Sequence, residues 1–203
     1  MKILAFSDLH HGAKAARDLV AASREAELVI GAGDFCNMRQ GLDEALALLA
    51  GLAAPMIAVP GNAETAEELR AAAGPGTTVL HGQGETRDGL RLFGLGGAVP
   101  ETPFGAWSFD LSEARAADLL APCEEADILI LHSPPKGVAD RTSQGVSVGS
   151  VAIRDAIERI QPTLAVCGHI HDSWGQEGQI GRTRVVNLGP TPTWFEIEQP
   201  GRA

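Results

Sequence analysis

Ile3-Leu4-Ala5-Phe6-Ser7-Asp8-Leu9-His10 runs from four apolar residues into a carboxylate and an imidazole, and this pairing decides the fold. The pattern recurs along the chain. Leu28-Val29-Ile30 leads to Asp34, Met56-Ile57-Ala58-Val59 to Asn62, Ile128-Leu129-Ile130-Leu131 to His132, and Leu164-Ala165-Val166-Cys167 to His169 and His171. Short β-rich apolar runs bounded by glycine and proline read as buried strands. In α/β sheets the ligand site lies beyond the carboxyl ends of the strands. Five strand ends therefore deliver carboxylate, amide and imidazole groups to one rim, which reads as a metal site for two ions. Asp8 and His10 lie two apart, so on an extended segment they point the same way and can grip one ion together.

Between these runs lie helix-period segments near Ala13–Ala26, Gln40–Ala53 and Glu64–Ala73. Strands alternating with helices predict a largely parallel sheet. The pattern then changes. Thr77-Thr78-Val79-Leu80, Gly84-Glu85-Thr86 and Leu90-Arg91-Leu92-Phe93 read as strands, with a hairpin turn at Asp88-Gly89. Residues 98–110 read as a loop, and helices are expected over 112–121 and 150–160, the second capped by Ser150. The tail over 180–198 is expected to close a second sheet. Residues 1–203 thus read as one α/β domain, two stacked sheets with helices outside.

Composition bounds the function. The 203 residues carry a formal net charge of −10, which argues against broad electrostatic binding to nucleic acid or anionic membrane and leaves room for a local cationic groove. Three widely spaced cysteines (Cys36, Cys123, Cys167) without a CxxC pair read as reduced thiols, and hence a cytoplasmic protein. The N-terminus enters a strand at once, so no signal peptide is expected. The longest uncharged apolar stretch, Ala45 to Val59, is broken by Gly51 and Pro55 and is too short to span a bilayer. Homo-oligomerisation is left open.

The motif order resembles the calcineurin-like metallophosphoesterases, whose pattern runs D-x-H, G-D, G-N-H-[DE], H and G-H-x-H. Here it stands as Asp8-Leu9-His10, Gly33-Asp34, Gly61-Asn62-Ala63-Glu64, His132 and Gly168-His169-Ile170-His171. His132-Ser133-Pro134-Pro135 and the glycine-rich stretch to Ser150 resemble a small branch often described as Icc-like phosphohydrolases. The resemblance implies a four-layer α-β-β-α sandwich of two mixed sheets. It implies one ion on Asp8, His10 and His171, a second on Asn62, His132 and His169, and Asp34 bridging both. The implied reaction is hydrolysis of a phosphodiester by a metal-bridging hydroxide, with Asp34, Asn62 and His132 at the reacting centre and a small phosphate ester as substrate. A phosphomonoesterase, or a non-catalytic metal- or nucleotide-binding regulatory domain, is the alternative. Oxygen and imidazole donors suit Mn²⁺ first, with Fe, Zn²⁺ or Ni²⁺ as alternatives.

One position departs from the family pattern. Ala63 stands where the family commonly has the histidine that assists the leaving group. Loss of a general acid typically costs about 10²–10⁴-fold in rate. His11 is a candidate substitute acid, against the simpler reading that it bonds a loop. Glu64 reads as support for a helix N-terminus, Cys36 as a buried thiol, and His81 as structural or exposed. Lys136, Arg141 and the helix start at Ser150 could accept an anion. Phe104, Trp107 and Phe109 could stack on a base or aryl group, or clamp their loop to the body.

Overall fold

The computed structural model describes residues 1–198. Its first half alternates β1 (Lys2–Phe6), α1 (Ala13–Ala22), β2 (Leu28–Gly31), α2 (Leu42–Ala47), β3 (Met56–Ala58), α3 (Ala66–Ala72) and β4 (Thr77–Val79). The second half runs β5 (Gln83–Arg87), β6 (Leu90–Leu95), α4 (Glu113–Leu120), β7 (Ile128–Leu131), α5 (Val151–Ile160), β8 (Leu164–Cys167), β9 (Glu177–Ile180), β10 (Thr183–Asn187) and β11 (Thr193–Glu196). One sheet has the order β11-β1-β2-β3-β4 and the other β5-β6-β7-β8-β10-β9. Each is mixed, with a parallel centre and an antiparallel strand at one or both edges.

The continuous apolar runs are explained by burial on both faces. In β1, Ile3 and Ala5 join a cluster between the sheets with Ile30, Ile57, Leu92, Ile130 and Phe195, whereas Leu4 and Phe6 join Leu19, Val29 and Leu69 under the first layer of helices. In β7, Ile128 and Ile130 face the same inter-sheet cluster, while Leu129 and Leu131 pack with Leu120, Ile153 and Ile157 under α4 and α5. The side-chain period of two thus divides each run between two apolar layers, and the result is the four-layer α-β-β-α sandwich.

Several elements differ from the sequence reading for identifiable reasons. α1 ends at Ala22 and continues as a 3-10 turn over Ser23–Glu25. The expected helix over 40–53 contracts to α2, because Gly41 adopts a left-handed conformation before it and i to i+3 bonds from Leu49, Ala50 and Leu52 tighten the chain after it. The hairpin turn at Asp88-Gly89 forms as expected, with both residues at positive φ. The tail is a correction: β9 and β10 extend the second sheet, but β11 returns to the first. There it pairs antiparallel with β1, placing Phe195 opposite Ile3 in the inter-sheet cluster.

The helix start at Ser150 is a second correction. Ser150 caps α5 as expected, its Oγ accepting from the N–H of Ile153 at 3.1 Å. The Glu113 carboxylate already occupies the anion position: it accepts from Ser150 Oγ at 2.7 Å, Val151 N at 2.9 Å and Ala152 N at 2.8 Å. The α5 dipole is therefore satisfied within the protein. Glu113→Ala, which leaves those donors without the carboxylate, is expected to destabilise the fold by about 1–2 kcal/mol. Urea unfolding measures this, and an unchanged midpoint would show that α5 does not depend on Glu113.

Candidate metal centre

All seven side chains singled out in the sequence lie just beyond the carboxyl ends of parallel strands, from both sheets: Asp8 and His10 after β1, Asp34 after β2, Asn62 after β3, His132 after β7, His169 and His171 after β8. The backbone there is not extended. Asp8, His10, Asp34 and His169 take positive φ values of 54°, 43°, 57° and 65°. Asp8 and His10 therefore converge through left-handed turns and not, as expected, through strand alternation. Such conformations cost of order 1–3 kcal/mol each and persist where surrounding contacts over-determine them. Those contacts are present: Asp8 N donates to Gly33 O at 2.9 Å, His10 N to Asp34 O at 3.1 Å, and Asp34 N to Glu64 Oε1 at 2.8 Å. Two motif glycines are explained by close approach. A Cβ on Gly61 would collide with the Asp34 carboxylate, and one on Gly168 with Ser7 Oγ.

Two triads emerge. The ligand atoms of Asp8, His10 and His171 lie within 4.8 Å of one another, as do those of Asp34, His132 and His169. Asp34 reaches toward both groups: its Oδ2 is 3.5 Å from His10 Nε2 and its Oδ1 is 3.5 Å from His132 Nε2. Asn62 Oδ1 lies 3.2 Å from His132 Nε2, and the Nε2 atoms of His10 and His171 approach to 3.3 Å. Tetrahedral coordination with bonds near 2.1 Å separates donor atoms by ~3.4 Å, so these spacings fit ligands gathered about divalent ions.

Proton placement supports the same reading. His10 Nδ1 lies 3.0 Å from Cys36 O and His132 Nδ1 lies 2.8 Å from Ala32 O. A carbonyl only accepts, so each Nδ1 carries a hydrogen and Nε2 is the nitrogen that faces the cluster. Burial, reinforced by the neighbouring His132, holds His169 down at about 4, in the neutral form a metal requires. Burial pushes Asp8 up, but the bond to His171 and nearby imidazoles outweigh it and hold the carboxyl low.

Glu64 has a larger role than the sequence indicated. The N-terminus of α3 is capped instead by Thr65 and Glu68, in a reciprocal capping box. Glu64, fully buried, accepts from Gly61 N at 2.7 Å and Asp34 N at 2.8 Å, and from Phe35 N at 3.2 Å. It ties the Asp34 turn to the Asn62 turn. Burial and the Asp34 charge push its carboxyl up to about 7, yet its close partners are N–H donors, which favour the ionised form. The only signal for this was its place as the last residue of the Gly61–Glu64 motif.

The other sequence candidates fall outside the cluster. His11 Nε2 is 3.0 Å from Gln40 O, so its ring is engaged by a neighbouring loop instead of being poised as an acid. Cys36 is a buried thiol, pushed up to about 12 by burial and by Glu64. His81 is partly buried, and its Nδ1 accepts from Gly96 N at 3.3 Å. Lys136 donates to Ser147 O at 2.6 Å and Arg141 to Gly145 O at 2.8 Å, so both cations bond to their own loop. Phe109 packs on His81, with centroids 5.4 Å apart, while exposed Phe104 stacks on Trp107 at 5.7 Å. This loop touches the centre through Ser108, whose Oγ accepts from Asn62 Nδ2 at 3.0 Å. Ala63 is buried in the apolar cluster under α1 to α3, with its N–H bonded to Asp34 Oδ1 at 2.8 Å. Trp174, unnoticed in the sequence, donates its indole N–H to Asp8 Oδ2 at 3.1 Å.

The profile of the calcineurin-like phosphoesterase superfamily domain matches residues 1–201. The chain belongs to that superfamily. Metallophosphoesterase domain-containing protein 1 of Homo sapiens is 36% identical over 119 residues, covering 55% of this chain and 34% of the human protein. The match thus spans about a third of that relative's length. The protein TT1561 of Thermus thermophilus superposes with a TM-score of 0.73 at 20% identity, covering 93% of this chain and 88% of that one. A dimetal phosphatase from Danio rerio gives 0.63 at 12% identity over 94% and 88% of the two chains. These two likenesses are of fold, and they match the superfamily's two mixed sheets flanked by helices.

Glu64→Gln turns an amide N–H₂ toward backbone N–H donors. It is expected to destabilise the protein by about 2–3 kcal/mol, because hydrogen bonds to a buried charge are lost and donors are left unpaired. Denaturant unfolding with and without Mn²⁺ tests this. A wild-type midpoint in both conditions would contradict the bracing role.

Proposed function

We propose that the chain is a dinuclear metal-dependent phosphoesterase that prefers phosphodiesters. The observation that carries this is the Asp34 carboxylate, whose two oxygens each lie 3.5 Å from an imidazole of a different triad. In this reading Asp8, His10 and His171 hold one ion and Asn62, His132 and His169 the other, with Asp34 shared. Mn²⁺ is the preferred ion, with Fe, Zn²⁺ or Ni²⁺ as alternatives on the same donor chemistry. Such ions acidify a bound water and neutralise charge on the phosphoryl oxygens.

The protein's own residues favour a diester. Removing a dianionic phosphate profits from additional cations, and the loop cations here are otherwise engaged: Arg39 pairs with Glu68, and Lys136 and Arg141 bond loop carbonyls. Of the six histidines, four belong to the triads and the other two, His11 and His81, bond to loops. No histidine is then reserved to protonate a leaving group, which favours esters whose leaving groups depart without help. Among the described residues no helix is long and apolar enough to cross a membrane. Three free, buried cysteines support a cytoplasmic setting.

The test is turnover of an aryl phosphodiester and its matching monoester by Mn²⁺-reconstituted protein, with Asp34→Asn as control. Diester cleavage should exceed monoester cleavage about tenfold and fall by more than ~100-fold in the control. Faster monoester cleavage would overturn the diester preference. No turnover above the control, with metal bound, would make this a binding domain.

A further inference from the structure

Trp174 lies outside both triads yet touches two members of one of them. Its Nε1–H donates to Asp8 Oδ2 at 3.1 Å, and its ring packs on His171 with centroids 4.3 Å apart and planes inclined by 33°. The indole is held from behind. A Cβ on Gly189 would come within 3.0 Å of Trp174 Cγ, so only a bare backbone lets the ring lie this close. The backbone on either side is tied down as well: Trp174 N donates to His171 O at 3.1 Å, and Gly175 N to Asn187 O at 2.8 Å.

His171 needs such a support. The rings of His10 and His132 are each oriented by a carbonyl at Nδ1. His171 is half exposed, and among the described residues no hydrogen bond to its Nδ1 is present. Asp8 has the complementary problem. Its carboxylate is buried, and an oxygen left without a donor there would cost free energy. His169 N lies 3.2 Å from both Asp8 oxygens, whereas the indole N–H bonds Oδ2 alone, so the less engaged Oδ1 is the one that faces His171 Nε2 at 3.6 Å. A single side chain therefore selects the Asp8 oxygen that faces the triad and braces the His171 ring.

We propose that Trp174 is a positioning residue that preorganises Asp8 and His171, which follow β1 and β8, as a ligand pair for one divalent ion. It leaves the triad of Asp34, His132 and His169 to other supports, namely Ala32 O and Glu64. The inference rests on the dinuclear reading above. Groups that support metal ligands from outside typically change metal affinity 10–100-fold. Phenylalanine keeps a stacking face and loses the N–H, whereas leucine loses both.

The experiment is calorimetric titration of the metal-free full chain with Mn²⁺ for wild type, Trp174→Phe and Trp174→Leu, with thermal midpoints of the metal-free proteins recorded alongside. Wild type should take up two ions. Trp174→Leu should weaken one of them about 10–100-fold and leave the other within about threefold. Trp174→Phe should fall between, and both metal-free variants should melt cooperatively. Two wild-type affinities in both variants would overturn the role of Trp174. Equal weakening of both ions, tracking a lowered midpoint, would overturn it in favour of a general packing role. Uptake of fewer than two ions by wild type would instead overturn the dinuclear reading itself, whatever the variants do.

Discussion

Three carboxylates, Asp8, Asp34 and Glu64, are buried where the carboxyl ends of the two sheets meet, and the rest of the structure is arranged around that concentration of charge. Buried ions are tolerated only when paired and hydrogen-bonded. Glu64 is satisfied by backbone N–H groups of the Asp34 and Asn62 turns. Asp8 accepts from Trp174 on Oδ2 and from His169 N, which is shared between both of its oxygens. Asp34 Oδ1 takes Ala63 N, while its Oδ2 has an imidazole nitrogen 3.5 Å away as its neighbour. Asp8 and Asp34 thus turn carboxylate oxygens toward the imidazoles of His171, His10 and His132, at 3.5–3.6 Å. Divalent cations are the chemistry that completes such a set.

This constraint also explains why the local backbone is strained and why the glycines stand where they do. Drawing the candidate ligand side chains from five strand ends onto one small volume is accompanied by left-handed turns at Asp8, His10, Asp34 and His169. It is also accompanied by backbones near Gly61 and Gly168 that approach more closely than any side chain allows. The sandwich below is rigid enough to hold them, because every central strand is buried on both faces between apolar layers.

What was legible in the sequence follows from what is periodic. Continuous runs such as Ile128–Leu131 announced buried strands, and the residues ending them announced a site, because strand direction places those ends on one rim. The turns were not legible, since a left-handed Asp or His has no sequence mark apart from its neighbours. The partner of β11 was set by Phe195 meeting Ile3 across the chain's full length, a contact no local window contains. Glu64 and Trp174 share this limit, because the bonds of Glu64 to Asp34 and of Trp174 to Asp8 span 30 and 166 positions. Glu113, which fills the α5 N-terminus from another helix, is a further case.

Ala63 gives the centre its individual character. Its position is buried and apolar, its N–H bonded to Asp34, and neither histidine outside the triads is turned toward the ligands to replace an acid. The proposed chemistry therefore relies on the metal centre and on the ester's own leaving group. The most direct test of that centre is anomalous diffraction from crystals of the full chain grown with Mn²⁺. Two Mn²⁺ peaks, one on either side of the Asp34 carboxylate, are predicted. A single peak, or peaks away from Asp34, would contradict the shared-carboxylate centre.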